Sequence, residues 1–150
     1  MWNFGGVAVD PDIKYSSYTP IVMNRSQLEQ SSKIQNALAL QDPGKIYFRN
    51  PYIFVNEKYK GIHIIDNSNP ASPQNIQFIN IPGNVDMAVK GNTLYADNSV
   101  DLLVLDISQI NDIKIIKRLK NKFPNPITSP DGFQFYDIDQ NQFVVGWQKK

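Results

Sequence analysis

Ile62-His63-Ile64-Ile65-Asp66-Asn67-Ser68 and Leu102-Leu103-Val104-Leu105-Asp106-Ile107-Ser108 are two versions of one phrase, set 40 residues apart. The strands before them align as well, Tyr52-Ile53-Phe54-Val55-Asn56 with Thr93-Leu94-Tyr95-Ala96-Asp97, at an offset of 41. A period near 40 residues with four strands per unit marks a β-propeller blade. The aliphatic runs lack period-2 alternation. That predicts a third strand in each unit covered on both faces by neighbouring blades.

Outward from these phrases, short β-type runs fall at 45–49, 52–56, 62–66, 76–81, 85–90, 94–97, 102–107, 113–119, 133–138 and 143–147. Turn residues separate them: Asn50-Pro51, Asn67-Ser68-Asn69-Pro70, Pro82-Gly83 and Gly91-Asn92. The fold class expected is all-β, a partial β-propeller of about two and a half four-stranded antiparallel blades. Its units are 44–83, 84–123 and, after the 123–130 loop, 131–150. Residues 1–43 form an irregular N-terminal extension broken at Gly5-Gly6, Pro11 and Pro20. There Ser26-Gln27-Leu28-Glu29 has the spacing of a capping box, which predicts one short helix over 26–34. Leu28 and Ile34 are its expected anchors, with the extension docked on the blades.

Composition narrows the function. The chain has 150 residues, 41% hydrophobic and 19% charged, with a net charge of +1. It is too apolar for a disordered protein and lacks the basic excess of a nucleic-acid binder. Without cysteine it has neither a disulfide framework nor a thiolate zinc site. No run of 18 apolar residues is present to span a bilayer, and residues 1–12 lack the basic start and long apolar core of a signal peptide.

The repeat resembles the LVIVD-repeat family, β-propeller proteins whose unit has a tyrosine-containing strand, a glycine, then an aliphatic run closed by aspartate and a Ser/Asn-Pro turn. The first copy carries Tyr52-Ile53-Phe54-Val55, Gly61-Ile62-His63-Ile64-Ile65-Asp66 and Asn69-Pro70; the second carries Leu94-Tyr95-Ala96, Leu102-Leu103-Val104-Leu105-Asp106 and Ser108. Pro43-Gly44-Lys45-Ile46-Tyr47, Pro82-Gly83-Asn84-Val85-Asp86-Met87-Ala88 and Tyr18-Thr19-Pro20-Ile21-Val22-Met23 are similar to phrases in lipid-anchored members from Bacteroidetes-type bacteria. The second copy departs from the pattern, with Gln109-Ile110-Asn111-Asp112 where proline is expected. No lipobox cysteine is present, so an anchor would lie in a leader removed from this chain. The resemblance implies an outer-membrane or cell-surface location and no catalytic residues, since the motif serves folding.

The individual residues read mainly as structure. His63 is the only histidine and sits in an aliphatic strand, so it is expected packed and hydrogen-bonded rather than catalytic. Asp66 and Asp106 recur at one repeat position without an EF-hand spacing. They are expected to accept turn amides rather than bind calcium. Asp86, Asp97, Asp101 and Asp106 cluster in one unit, and Asp97 with Asp101 is the one candidate acid/base pair. Lys114, Lys117, Arg118, Lys120 and Lys122 mark an outer edge strand protected by charge. Tyr47, Tyr52, Phe54, Tyr59, Phe78, Tyr95, Phe133, Phe135, Tyr136, Phe143 and Trp147 are expected mostly between blades. Asn24-Arg25-Ser26 is a glycosylation sequon that overlaps the helix cap.

The function these features favour is a noncatalytic binding or scaffold module of a bacterial envelope protein, recognising a protein or glycan. No catalytic, cofactor or metal residue is assigned, and no nucleic-acid partner. The alternatives are a hydrolase or lyase with its site at the propeller mouth, or an accessory subunit of an outer-membrane complex. Two units and part of a third leave apolar blade faces wet. A longer parent chain or self-association is therefore expected, and the ending in mid-unit favours the former.

Overall fold

A computed structural model describes residues 15–150. The breaks expected at Gly5-Gly6 and Pro11 lie outside the described residues. The described residues are all-β, with several antiparallel sheets and one helix.

The first blade is β3 (Pro43–Arg49), β4 (Tyr52–Glu57), β5 (Gly61–Asp66) and β6 (Gln74–Asn80). The second is β7 (Met87–Lys90), β8 (Thr93–Asn98), β9 (Asp101–Asp106) and β10 (Lys114–Leu119). Each runs antiparallel in chain order from β3 or β7 outward. The repeat is a register identity. Tyr52 pairs with Asp66 across β4 and β5, and their counterparts Thr93 and Asp106 pair across β8 and β9.

The main core lies between the blades. Phe54, Ile62, Ile64 and Ile79 of the first meet Leu94, Ala96, Leu103 and Leu105 of the second, all essentially inaccessible. Phe54, Ile62 and Ile64 correspond in the repeat to Tyr95, Leu102 and Val104, not to the residues they touch. The blades therefore stack like successive steps, with the forward face of one on the rear face of the next. Such heterologous contacts build repeat arrays.

The extension is more ordered than its sequence announced. β1 (Tyr18–Met23), α1 (Arg25–Ser31) and β2 (Lys33–Asn36) fill it. β2 adds a fifth strand beside β6. The helix is capped by Asn24, not Ser26. The Asn24 side chain accepts from the Gln27 amide, and the Gln27 side chain accepts from the Asn24 amide. Asn24 and Gln27 have the same capping-box spacing two residues earlier, and asparagine caps as well as serine. Leu28 is fully buried, but the helix ends at Ser31 rather than reaching 34, and Ile34, expected as a helix anchor, lies in β2 and packs from there against the main core.

The third unit differs from expectation. Residues 133–138 form no strand, only an isolated bridge between Thr128 and Gln134. Gly132 has a positive φ of 85°, and Asp131 gathers Ser129, Ser16 and the Ser17 amide, a loop-forming arrangement. The remaining strand, β11 (Phe143–Lys149), pairs with β1 rather than with a neighbour in its own unit. This ribbon meets the β8–β9 turn in a small second core of Leu28, Val100 and Val145, flanked by Met23 and Phe143.

Candidate functional site

The recurrent aspartates are turn locks. Asp66 Oδ1 accepts from the Ser68 amide at 2.9 Å and from the Ser68 hydroxyl. Asp106 Oδ1 accepts from the Ser108 amide at the same 2.9 Å. Hydrogen bonds from Ser68 and Ser108 hold the two carboxyls below their ordinary range. The missing proline of the second copy costs the turn nothing visible: Ser72 N bonds Asn69 O and Asp112 N bonds Gln109 O, both at 2.9 Å. The Asx bond, not the proline, sets this turn.

His63 is fully buried on the rear face of the first blade, 4.9 Å from the Phe78 ring centroid. Its Nε2 lies 3.0 Å from Glu57 Oε1. Glu57 went unremarked in the sequence, yet its carboxylate also accepts the amides of Gln41 (2.7 Å) and Asp42. Burial pushes the Glu57 carboxyl up, but these amides and His63 outweigh it and leave it below its usual value. The chain from β2 thus returns to β3 as a strap, residues 37–42, across the rear face. His63 is a packed, bonded histidine that seats the strap.

The acidic cluster is divided between two tasks. Asp101, fully buried, accepts from Arg25 at 2.5 Å, Arg118 at 2.7 Å and the Asn121 amide at 3.0 Å. Burial raises its carboxyl, and the amide and the two guanidiniums hold it low. It ties α1 and β10 to the β8–β9 turn. Arg118 therefore leaves the basic run to serve inside. Lys114 and Lys117 remain exposed along β10, which forms a sheet edge. Asp106 stands at the far end of β9, about 17 Å from Asp101 at strand rise.

Asp97 faces a different environment. Its Oδ1 accepts from Asn84 Nδ2 and the Val85 amide at 2.9 Å, and from the Asp86 amide at 3.0 Å. Desolvation pushes its carboxyl above the ordinary range, with these bonds opposing and the charge of Asp86 assisting. It lines a cavity of about 170 Å³ with Tyr59, Val85, Phe123, Pro124 and Val144. Asp86 instead bonds Lys45 Nζ at 2.7 Å, which lowers its carboxyl. The candidate Asp97–Asp101 pair is not formed as a unit, because Asp101 is committed to its arginines. Among the described residues no group of three or more His, Asp or Glu side chains is placed to hold a metal.

The aromatic residues also sort differently from expectation. Phe54 and Tyr52 belong to the inter-blade core, but Phe78 lies under the strap with His63. Phe135 packs on Phe133 and Trp147 beside the ribbon, and Tyr136 is 80% exposed. Tyr95 lies on the forward face of the second blade. There Ala88, Tyr95, Leu102 and Val104 form an apolar surface with a shallow groove toward Phe123. In β9 burial alternates between buried and half-buried, so among the described residues the third strand of this blade is fully covered on one face and partly on the other.

The LVIVD repeat family model matches residues 46–78 and 83–113, the two blades just described. The chain carries two LVIVD repeats. The LVIVD positions coincide with the strand registers and Asx turns, so the family's signature here is a folding signature. No curated protein and no solved structure gives a match. Among the described residues no helix is long and apolar enough to cross a membrane.

Proposed function

We propose that this chain is a noncatalytic binding or scaffold module of a bacterial cell envelope, meeting a protein or glycan partner through its blade surface. One observation carries the reading. Tyr95, Leu102 and Val104 are half-buried, whereas their repeat counterparts Phe54, Ile62 and Ile64 are wholly inaccessible under the neighbouring blade. An apolar surface of this kind, only partly covered among the described residues, marks an interaction site. The envelope location rests on the similarity of the entry and linker phrases to lipid-anchored LVIVD proteins.

The raised carboxyl of Asp97 in its cavity is what favours the alternative, a hydrolase or lyase. Acid–base work on a glycosidic bond needs a second carboxylate across the cleft. Among the described residues Asp97 is the one acidic residue in the cavity lining. A photo-crosslinking residue in place of Tyr95, in the producing cell, tests it. A discrete adduct abolished by Val104→Glu is the expected result. Adducts indifferent to Val104, together with a turnover lost in Asp97→Asn, would replace the module with an enzyme.

A further inference from the structure

We infer that the cavity beside Asp97 is a binding site for an alkylammonium group, its N–H taken by the carboxylate and its carbons by the aromatic and prolyl wall. The inference stands apart from the blade-surface reading, because Tyr95, Leu102 and Val104 do not line this cavity. Separate parts of the chain enclose it. Tyr59 comes from the β4–β5 turn, Asp97 from β8, Phe123 and Pro124 from the loop after β10, and Val144 from β11.

The enclosure is held in place from several sides. Tyr59 has a φ of 64°, a conformation unfavourable for a bulky side chain. Its amide bonds Asn84 O and its carbonyl accepts the Gly83 amide, both at 2.8 Å. A residue kept in such a conformation by its surroundings is typical of ligand clamps. Gly83 has a φ of 76°, and a Cβ there would stand 3.2 Å from Val145 Cα, so glycine lets the linker between the blades close on β11.

The chemistry selects the ligand. Asp97 Oδ1 already accepts from Asn84 and from the Val85 and Asp86 amides. Oδ2 has no hydrogen-bond partner among the described residues, and no described cation pairs with Asp97. Lys45 is held by Asp86, and Arg25 and Arg118 by Asp101. The Ser99 hydroxyl, also in the lining, donates to Val144 O at 2.7 Å. Desolvation already pushes the Asp97 carboxyl up, a penalty that a cation seated against it offsets. One available oxygen decides between cations. A guanidinium fork matches two acceptors side by side, whereas an ammonium is a point charge that needs only one. Tyr59 and Phe123 supply ring faces that attract the same charge. Size narrows the class further. Drug-sized ligands fill roughly 300–1,000 Å³. A cavity of about 170 Å³ admits a group of side-chain size, either the end of a partner's lysine or a small free amine.

The test is a titration of the full chain with n-butylammonium chloride at constant chloride, followed by amide NMR. Saturable shifts at Val85, Ser99 and Val144 with a Kd in the millimolar range or below are expected. Asp97→Asn keeps an acceptor for Asn84 and the two amides and should weaken binding about tenfold or more. Tyr59→Gly suits the same φ and removes a ring from the wall, for a loss of roughly two- to fivefold. It keeps the test decisive if Asp97→Asn melts early. n-Butanol, which lacks the charge, and n-butylguanidinium, which carries the fork, should both bind more weakly. A wild type without saturable shifts overturns the inference. So does butanol matching butylammonium, which is an apolar cavity only, or guanidinium matching ammonium. Unchanged affinity in Asp97→Asn overturns it as well. The amide of Nα-acetyl-lysine separates the sources: tighter binding than butylammonium assigns a partner's lysine, weaker binding a free amine, and both support the site. Failure here leaves the crosslinking result at Tyr95 untouched, and failure there leaves this cavity standing.

Discussion

Asp101→Ala is the sharpest test of how the LVIVD blades are tied to the extension. The carboxylate is fully buried and receives two guanidiniums and one backbone amide. Removing one partner of a buried ion pair costs about 3–5 kcal/mol, because the charge left behind loses both its bond and its water. Arg25 and Arg118 are 29% and 15% exposed, so each regains some hydration in the variant. That places the loss near the lower end, about 3 kcal/mol, or a fall in Tm of roughly 6–12 °C for a chain of this length. Urea unfolding measures the loss. A double-mutant cycle with Arg118→Met should show coupling on the order of 1–2 kcal/mol, since the two groups share one bond network. Asp101→Asn keeps an acceptor for the Asn121 amide and should lose less than the alanine variant. A loss under about 1 kcal/mol, or coupling near zero, would mean that Asp101 does not fasten the helix and β10, and the reasoning fails.

Asp97→Asn keeps an acceptor for Asn84, Val85 and Asp86 but removes the desolvated charge. The folded carboxyl sits above its unfolded value of 3.8, so the native state holds the proton more tightly. Wild-type stability should therefore rise as pH falls through the folded value and level off below the unfolded one; the variant should lose this slope in pH-dependent urea melts. Glu57→Gln removes a carboxylate held low by amides and His63, whose contribution is present above pH 4.5 and fades in acid. The variant should expose the strap, seen as faster hydrogen exchange at Gln41 and Asp42 at neutral pH. A third substitution, Gly61→Ala, places a Cβ 1.9 Å from the Ile79 carbonyl oxygen at a φ of 148°, and soluble folded protein should be lost on expression. Alanine at Gly91, where φ is 59° and nothing lies within 4 Å, supplies the control, with a loss of about 1 kcal/mol by chemical melt.

What the sequence made legible is what repeats. Two copies of one phrase define a register, and a register fixes pairing, turn and face together, because a one-residue slip would turn every side chain over. Hence the blades, the Asp66 and Asp106 locks and the edge position of β10 were all readable. Contacts made once leave no periodic trace. β2 is four residues long, Lys33–Asn36, and gains its strand conformation from β6 alone. The ribbon of β1 and β11 joins positions more than a hundred residues apart, and neither run names its partner. The Asn24 cap and the Ser26 spacing were equally good locally, and tertiary burial of Leu28 is served by either start. Glu57 carried no signal either, since its role depends on a strap that crosses the sheet from the other edge.

The two blades are alike in strand pairing and unlike in cover, and that difference is where function has room. An LVIVD unit cannot bury both faces alone, so each face needs a neighbour or a substitute. At the rear of the first blade the substitute is the strap, held by Glu57, and His63 replaces the aliphatic residue that Leu103 supplies in the second copy. A histidine there suits a face that meets a polar backbone rather than another sheet. The second blade keeps Leu103 and Leu105 inward and repeats the aliphatic pattern outward at Leu102 and Val104, and among the described residues no strap crosses them. Folding stability asks for apolar residues only on the inward side of a sheet that faces water. Leu102 and Val104 on the outward side instead keep the aliphatic pattern that Ile62 and Ile64 show in the first blade, where the neighbouring sheet covers it.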